Sequence, residues 1–396
     1  MRLAFVIRRF WPLMNEPEYA AADLAEALSQ MGHEVTIISS RPYANCPSMF
    51  TFRKSIVIRL PEKFPTFRGN RPFEKEVTRF LRARPQDFDA VVFFPGTIFA
   101  WTLVDQLIQL GVKCCVRLEP SGFDSFQLFA GNVDRNVEKH LKQTPPHLKY
   151  FSSSKLLALE LQRQGFDVPW VPNAIRAKTL AQIQAEQQQF APLDIKLKTR
   201  EALSNSHPIL RTKTDEKLAI IAGPITASQR LDRWLYSLKA IKKIPLPKFW
   251  IIGEGNRQQD LWDLSITLNV NGYLVLGFVL DDLSVALGAA DVYLFSDPLR
   301  IDSPFTLLAQ AFQIPILASF EGPLPDYALD VIPRQMQVHS LQSDTLPDAI
   351  SSIFAENTEA NTENASEKLG GHNSGQSFTI AESAMLLLEL IDAIPS

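Results

Sequence analysis

The sequence predicts an α/β protein built from two Rossmann-like domains. Short apolar runs of strand length, such as 3–7 and 90–94, alternate with helical segments such as 18–31 through the first half of the chain. The alternation restarts at 217–222, and the second half repeats it at a similar size. Alternating strands and helices form parallel sheets covered on both faces, so two such series indicate two sheets.

The individual elements follow from local patterns. Residues 3–7 form an apolar run that suits a strand buried on both faces. In 18–31 the apolar residues recur at the spacing of one helix face, and Gly32 ends that helix before a second strand at 35–39. Further strands are predicted at 90–94, 113–118, 148–152, 217–222, 249–252, 273–276, 291–295 and 314–318, and further helices at 99–110, 155–165 and 231–241.

Four segments organise the chain. Residues 1–173 form a first Rossmann-like domain, and 174–214, rich in Gln, Lys and Ser, form a connecting segment. Residues 215–377 form the second Rossmann-like domain, and 378–396 form a closing helix that packs on the first domain. Residues 356–377 are polar and cannot bury enough apolar surface to offset their ordering entropy, so we expect a mobile loop there.

Composition argues against several classes of protein. A net charge of -3 over 396 residues argues against a nucleic-acid-binding protein, which usually carries a basic excess. The cysteines Cys46, Cys114 and Cys115 provide neither a disulfide framework nor a C-x-x-C metal pair. The amino terminus lacks the apolar run of a signal peptide, and no window approaches the ~20 apolar residues of a membrane span. We therefore expect a cytoplasmic protein.

The stretch 299–319 carries the most specific motif, with Ala309, Ala311 and Pro315 in the frame A-x-A-x-x-x-P. This frame resembles the donor-site signature of the group 1 (family 4) glycosyltransferases. Two glutamates of that signature fall on Arg300 and Leu308, which are not acidic. The resemblance implies the GT-B fold, in which two Rossmann-like domains face a cleft and a carboxyl-terminal helix crosses back to the first domain.

Other motifs extend the resemblance over residues 1–330. Near the amino terminus Glu18 and Gly32 match the family in register, whereas Asn15 and Glu16 replace a glycine pair.

In the second half, Pro224 and Gln229 occupy the positions at which the family has an arginine and a lysine that bind the donor diphosphate. Arg230 lies one residue away from the lysine position. These departures all fall at positions that face the donor in the family.

The resemblance implies transfer of a sugar from a nucleotide-sugar donor to a glycan or lipid-linked acceptor. In the family this is a retaining reaction that needs no metal and no cofactor. The residues implied to bind the nucleotide sugar are Gly223, Gln229, Arg230, Gly253, Gly255, Phe278, Arg300 and Ser303. Asn15 and Glu18 are implied on the acceptor side, and Glu119 or Asp124 offers a carboxylate for catalysis.

The missing cations and acids leave three interpretations open. The first is a divergent glycosyltransferase with a rebuilt donor site. The second is a catalytically inactive relative that binds a sugar, a nucleotide or a partner protein. The third is a different enzyme with the GT-B fold, such as an epimerase.

Residues 53–84 form a strongly basic segment. They contain ten Lys or Arg and three acidic residues, a net charge of +7, with phenylalanines interspersed. Such a composition suits peripheral contact with an anionic membrane surface, where each basic residue contributes ~1 kcal/mol. A solvated face of a mobile segment would have the same composition, so both interpretations stay open.

Overall fold

The computed structural model describes residues 1–12, 14–61, 71–94, 104–118, 141–142, 146–242, 244–278, 280, 283–297, 300–320, 336–340, 345–359 and 378–395. The chain forms two compact units. The first comprises Met1–Arg176, Asp302–Pro304 and Phe378–Ser396, and the second comprises Ala177–Ile301 and Phe305–Ser377. Each unit is built around a sheet of mainly parallel strands, as the sequence predicts.

The first unit contains a seven-stranded sheet in the order β3-β4-β2-β1-β5-β6-β7. Its strands are β1 (Arg2–Ile7), β2 (Glu34–Ser40), β3 (Met49–Phe52), β4 (Ser55–Leu60), β5 (Ala90–Phe94), β6 (Lys113–Leu118) and β7 (Leu148–Ser152). Only β3, at the edge, runs antiparallel to its neighbour. All five residues of β5 are buried, as expected of a parallel strand covered on both faces.

The second unit contains a six-stranded parallel sheet in the order β10-β9-β8-β11-β12-β13. Its strands are β8 (Leu218–Ala222), β9 (Lys248–Ile252), β10 (Leu274–Phe278), β11 (Val292–Phe295), β12 (Ile316–Phe320) and β13 (Met336–Ser340). Trp234, Leu235 and Leu238 are fully buried and anchor the core beside this sheet.

Helices cover both sheets. Those with defined bounds are α1 (Glu16–Gln30), α2 (Arg71–Arg82), α3 (Lys155–Arg163), α4 (Ala177–Gln189), α5 (Pro192–Ser206), α6 (Leu231–Ala240), α7 (Gln258–Thr267), α8 (Leu283–Gly288), α9 (Pro304–Ala311), α10 (Leu346–Glu359) and α11 (Ile380–Asp392). Among the described residues, no helix is long and apolar enough to span a bilayer.

The carboxyl-terminal helix α11 returns to the first unit, as the sequence predicts. Thr379 opens the helix with a capping box, because its Oγ1 accepts from Glu382 N (3.2 Å) while its own N donates to Glu382 Oε2 (2.7 Å). Ala384 and Leu387 are fully buried where α11 packs against α1 and β6. The first unit is therefore completed by residues from the end of the chain.

Several elements are absent from the sequence-based prediction. The hairpin β3–β4 turns at Arg53 and Lys54, which have positive φ angles of 46° and 72° without glycine or asparagine. Helices α4 and α5 occupy much of 174–214, where the sequence suggests a connecting segment. Helix α10 continues through 359, so the first residues of the expected loop 356–377 are helical. The rest of that loop lies outside the described residues.

A buried charge network fastens α5 to the second sheet. Asp291, which precedes β11, accepts from Lys196 Nζ (2.7 Å) and Arg200 Nη2 (2.7 Å) and from Leu218 N (2.7 Å). Arg200 also donates to the carbonyl oxygens of Ala289 and Glu216. Burial opposes ionisation of Asp291, but the two cations and these hydrogen bonds prevail and lower its pKa.

Asp291→Asn should destabilise the protein by about 3–5 kcal/mol, because it leaves two cations beside a buried neutral group. Chemical denaturation of wild type and variant measures this change. The matched control is Asp260→Asn, whose exposed pair with Arg257 should contribute less than about 1 kcal/mol. Equal effects of the two substitutions would contradict the structural role of the Asp291 network.

The same network should make the stability of the protein depend on pH in acid. The pKa of Asp291 is lowered in the folded state, so its stabilisation is fully present above the unfolded pKa of about 3.9. It is lost as pH falls through the lower folded pKa. The difference in unfolding free energy between wild type and Asp291→Asn should therefore be constant near neutral pH and shrink below about pH 4.

Candidate functional site at the switch point of the second sheet

The order of the parallel strands reverses once in each sheet. In the second sheet, β8 and β11 lie on either side of that reversal. In open α/β sheets, ligands bind outside the carboxyl ends of the strands at this switch point. The segments that follow β8 and β11 contain Gln229, Arg230 and Arg300, so these predicted residues lie on the part of the fold where ligands bind.

Main-chain hydrogen bonds from two glycines connect the ends of three strands. Gly223 and Gly253 follow β8 and β9 with φ angles of 143° and 140°, which residues with a Cβ rarely adopt. Gly223 N donates to Ile252 O (3.0 Å), and Gly253 N donates to Phe278 O (3.0 Å). The structure thus places Gly223, Gly253 and Phe278 side by side at one edge of the sheet.

Gly255 lies against the backbone of Ile225. A Cβ at Gly255 would lie 2.0 Å from the Ile225 carbonyl oxygen. Ile225 N donates to Glu254 O (3.0 Å), and Ile225 O accepts from Arg257 N (3.2 Å). The loops after β8 and β9 are therefore joined through main-chain bonds at a place with no room for a side chain.

Four buried polar residues link the two sides of the switch point. Ser296 Oγ donates to Gln229 O (2.5 Å), and Gln229 Nε2 donates to Asp297 Oδ2 (3.4 Å). Arg300 Nε lies 3.5 Å from the same Asp297 oxygen, and Arg300 N donates to Asp297 O (2.9 Å). Each of the four residues is at most 6% exposed. Asp297, which the sequence analysis did not single out, brings the predicted residues Gln229 and Arg300 together.

Arg230 occupies a special backbone position at the start of α6. Its φ of 45° and ψ of 39° are left-handed, which is uncommon for a residue with a long side chain. Arg230 Nε lies 3.5 Å from Asp232 Oδ1, and the side chain is 26% exposed. Arg230 thus lies at the amino end of α6, where backbone N–H groups and the helix dipole favour anions.

One of the eight predicted donor-site residues belongs to a different unit from the other seven. Ser303 is buried and belongs to the first unit, whereas the other seven belong to the second. Leu308, at the position of the family's second glutamate, is half-buried in α9. Pro224 is half-buried in the loop after β8.

Asn15 and Glu18, which the sequence analysis predicts on the acceptor side, lie together at the start of α1. Asn15 N donates to Glu18 Oε2 (2.7 Å), and Glu18 is 6% exposed. Glu18 thus helps to cap the helix, as an acidic residue in the first turn commonly does. The two proposed catalytic carboxylates, Glu119 and Asp124, lie outside the described residues.

A further polar cluster in the first unit escaped the sequence analysis. Asp302 Oδ2 accepts from Lys155 N (2.8 Å), and Asp302 O accepts from Asn173 Nδ2 (2.9 Å). Asn173 Oδ1 also accepts from Arg117 Nη2 (3.3 Å), and Arg117 is fully buried. Burial raises the pKa of Asp302 to about 6, against the opposing hydrogen bond from Lys155. Asn173 and Asp302 are 129 residues apart, so no local pattern in the sequence indicates the cluster.

Among the described residues, no group of three His, Cys, Asp or Glu side chains is placed to hold a metal ion.

No family model and no curated protein matches the chain, but solved structures do. Anabaena Alr3699/HepE in complex with UDP and glucose has a TM-score of 0.67 at 10% identity, and the match covers 99% of each chain. WaaG, a glycosyltransferase involved in lipopolysaccharide biosynthesis, has a TM-score of 0.61 at 16% identity, covering 91% of this chain and 96% of WaaG.

The catalytic domain of starch synthase IV from Arabidopsis thaliana, bound to ADP and acarbose, has a TM-score of 0.61 at 12% identity, covering 99% of each chain. At these identities the matches establish the fold alone. The chain has the GT-B fold of glycosyltransferases, as the sequence motifs predict.

Gly255→Ala should destabilise the second unit by about 1–3 kcal/mol, because the added methyl group forces the backbone of Ile225 to move. Thermal or chemical unfolding measures the change. Gly272→Ala is the matched control, since a Cβ there meets nothing within 4 Å. If Gly255→Ala is as stable as Gly272→Ala, the two loops are not joined as described.

Proposed function

We propose that the protein is a divergent relative of the group 1 (family 4) glycosyltransferases that binds a nucleotide sugar at the switch point of its second unit. It transfers the sugar to a glycan or lipid-linked acceptor with retention of configuration and without metal or cofactor. The buried cluster of Gln229, Ser296, Asp297 and Arg300 is the observation that carries this proposal.

The chemistry requires positive charge near the leaving diphosphate. Negative charge develops on the diphosphate as the glycosidic bond breaks, and one well-placed group that stabilises such charge contributes ~3–4 kcal/mol. Pro224 and Gln229 cannot supply it. Arg300 and Arg230 lie on the two segments that meet at the switch point, and a guanidinium matches phosphate oxygens well.

A second candidate function is a catalytically inactive module that binds a sugar, nucleotide or partner protein. The ion pair between Arg300 and Asp297 favours it, because the carboxylate offsets the charge that a diphosphate would need. An acid, a guanidinium, an amide and a hydroxyl together suit the hydroxyl groups of a neutral sugar. Turnover, rather than binding, distinguishes the two functions.

Calorimetric titration with UDP-, GDP- and ADP-glucose should reveal saturable binding of at least one donor. The double variant Asp297→Asn/Arg300→Gln removes both buried charges at once, so it should fold while its donor affinity falls about tenfold or more, or ~1.4 kcal/mol. Arg257→Gln, which removes an exposed cation from the same unit, is the control.

Donor hydrolysis measured on the same samples separates the candidates. Binding with turnover supports the transferase, and binding without turnover supports the inactive module. Absence of any binding at millimolar donor would contradict both. Equal donor affinities of wild type and double variant would show that the Asp297–Arg300 pair does not contribute to donor binding.

We also propose that any membrane contact of the basic segment 53–84 is electrostatic and runs through α2. Phe73, Val77 and Leu81 are buried under this helix, so its apolar face is already covered. Lys75, Arg79 and Arg82 are exposed on it. Residues 62–70, which include two of the phenylalanines, lie outside the described part of the chain.

Lys75→Glu/Arg82→Glu should abolish co-sedimentation with phosphatidylglycerol vesicles, and wild-type binding should weaken as salt shortens the Debye length. Lys239→Glu/Lys242→Glu, with the same charge change on the second unit, should bind as wild type does. Binding that survives the α2 substitutions would assign the contact to another surface.

A further inference from the structure

Arginines collect at the carboxyl edge of the first sheet. Arg8 and Arg9 follow β1, Arg41 follows β2, and Arg59 is the penultimate residue of β4. These three strands are neighbours and run parallel, so their carboxyl ends meet. Ser40 N donates to Arg8 O (2.9 Å), which fixes the spacing of the first two strand ends.

Arg59 is held rigidly by the structure around it. Its Nη2 donates to Trp11 O (2.5 Å) and its Nη1 donates to Pro47 O (3.3 Å). The guanidinium carbon lies 4.2 Å from the ring centroid of Phe50, and the residue is 2% exposed. Neither carbonyl carries a formal charge, so these bonds position the positive charge of Arg59 without neutralising it.

Arg41 lies beside this charge and has unused hydrogen-bonding capacity. Its main-chain N donates to Leu60 O (2.9 Å), which places it against the end of β4. Arg41 Nε is buried and has no hydrogen-bond partner among the described residues. Burial lowers the pKa of Arg59, Cys46 raises it, and the charge of Arg41 lowers it. Two guanidinium groups that interact in a partly buried place repel each other unless an anion lies between them.

The neighbouring acids are already engaged. Glu16 and Glu18, in the first turn of α1, are 3% and 6% exposed. Glu18 accepts from Asn15 N in the helix cap. Arg8 and Arg9 are half-buried and take part in other interactions. Arg41 Nε and Arg59 Nε both lack a hydrogen-bond partner among the described residues, and Arg41, which is half-buried where Arg59 is 2% exposed, is the more accessible of the two.

We propose that this edge of the first unit binds a phosphate group, with Arg41 as its principal contact and the fixed charge of Arg59 behind it. A guanidinium offers paired N–H donors that match two phosphate oxygens, and a planar fork suits this better than a lysine ammonium. If the proposed function holds, the phosphate belongs to the acceptor, so the acceptor is a phosphorylated glycan or a lipid phosphate. The phosphate site itself does not depend on that function.

Calorimetric titration of the full chain with pyrophosphate tests the site. Arg41→Gln should weaken binding about tenfold or more, and Arg41→Lys should recover part of the loss because it restores the charge without the fork. Arg2→Gln is the matched control, since Arg2 pairs with Asp89 at the opposite edge of the same sheet. Unfolding midpoints of all variants show whether each one folds.

Two comparisons locate the site and its ligand. Pyrophosphate can also enter the proposed donor site, so the titration is repeated in the Asp297→Asn/Arg300→Gln background. There Arg41→Gln should still weaken pyrophosphate binding about tenfold or more, whereas Arg41→Gln alone should keep its nucleotide-sugar affinity. Phosphatidylcholine vesicles with and without phosphatidic acid distinguish a lipid phosphate from a soluble one. Wild-type protein that does not bind pyrophosphate, or equal binding by wild type and Arg41→Gln, would overturn the phosphate site while leaving the proposed donor site intact.

Discussion

Burial of parallel strands on both faces is the constraint on which the rest of the structure depends. A strand such as β5 has no polar side chain at all. Polar side chains that could bind a ligand or take part in a reaction therefore lie at the ends of the strands. In a doubly wound sheet those ends meet at one edge, and the reversal of strand order opens a space there. Both proposed sites lie at such edges, one in each unit.

The two edges differ in how charge is balanced. In the second unit Asp297 and Arg300 neutralise each other within a buried cluster, and Gln229 and Ser296 complete its hydrogen bonds. In the first unit Arg59 is surrounded by neutral carbonyls, and Arg41 adds a second positive charge. Positive charge is thus offset by a carboxylate at the proposed donor site, whereas the hydrogen bonds described for Arg59 go to neutral carbonyl groups.

Much of the fold could be predicted from the sequence, because the patterns that indicate strands and helices are local. The strands β5, β6 and β7 were predicted with their observed bounds, since each is an apolar run between polar segments. The hairpin β3–β4 was missed because Arg53 and Lys54 adopt left-handed conformations that normally indicate glycine or asparagine. Asp297 was missed for a different reason. Its importance comes from Gln229, which is distant in sequence and becomes a neighbour only when β8 and β11 pair.

The discontinuous first unit bears on how the chain folds during synthesis. Its core includes Ala384 and Leu387 of α11, which pack against α1 near the other end of the chain. The second unit is encoded entirely between those two parts. A ribosome therefore finishes the second unit while the surface of α1 that α11 will cover is still exposed. Closure of the first unit depends on a helix that is synthesised after the second unit, so the first unit closes only once the second has been made.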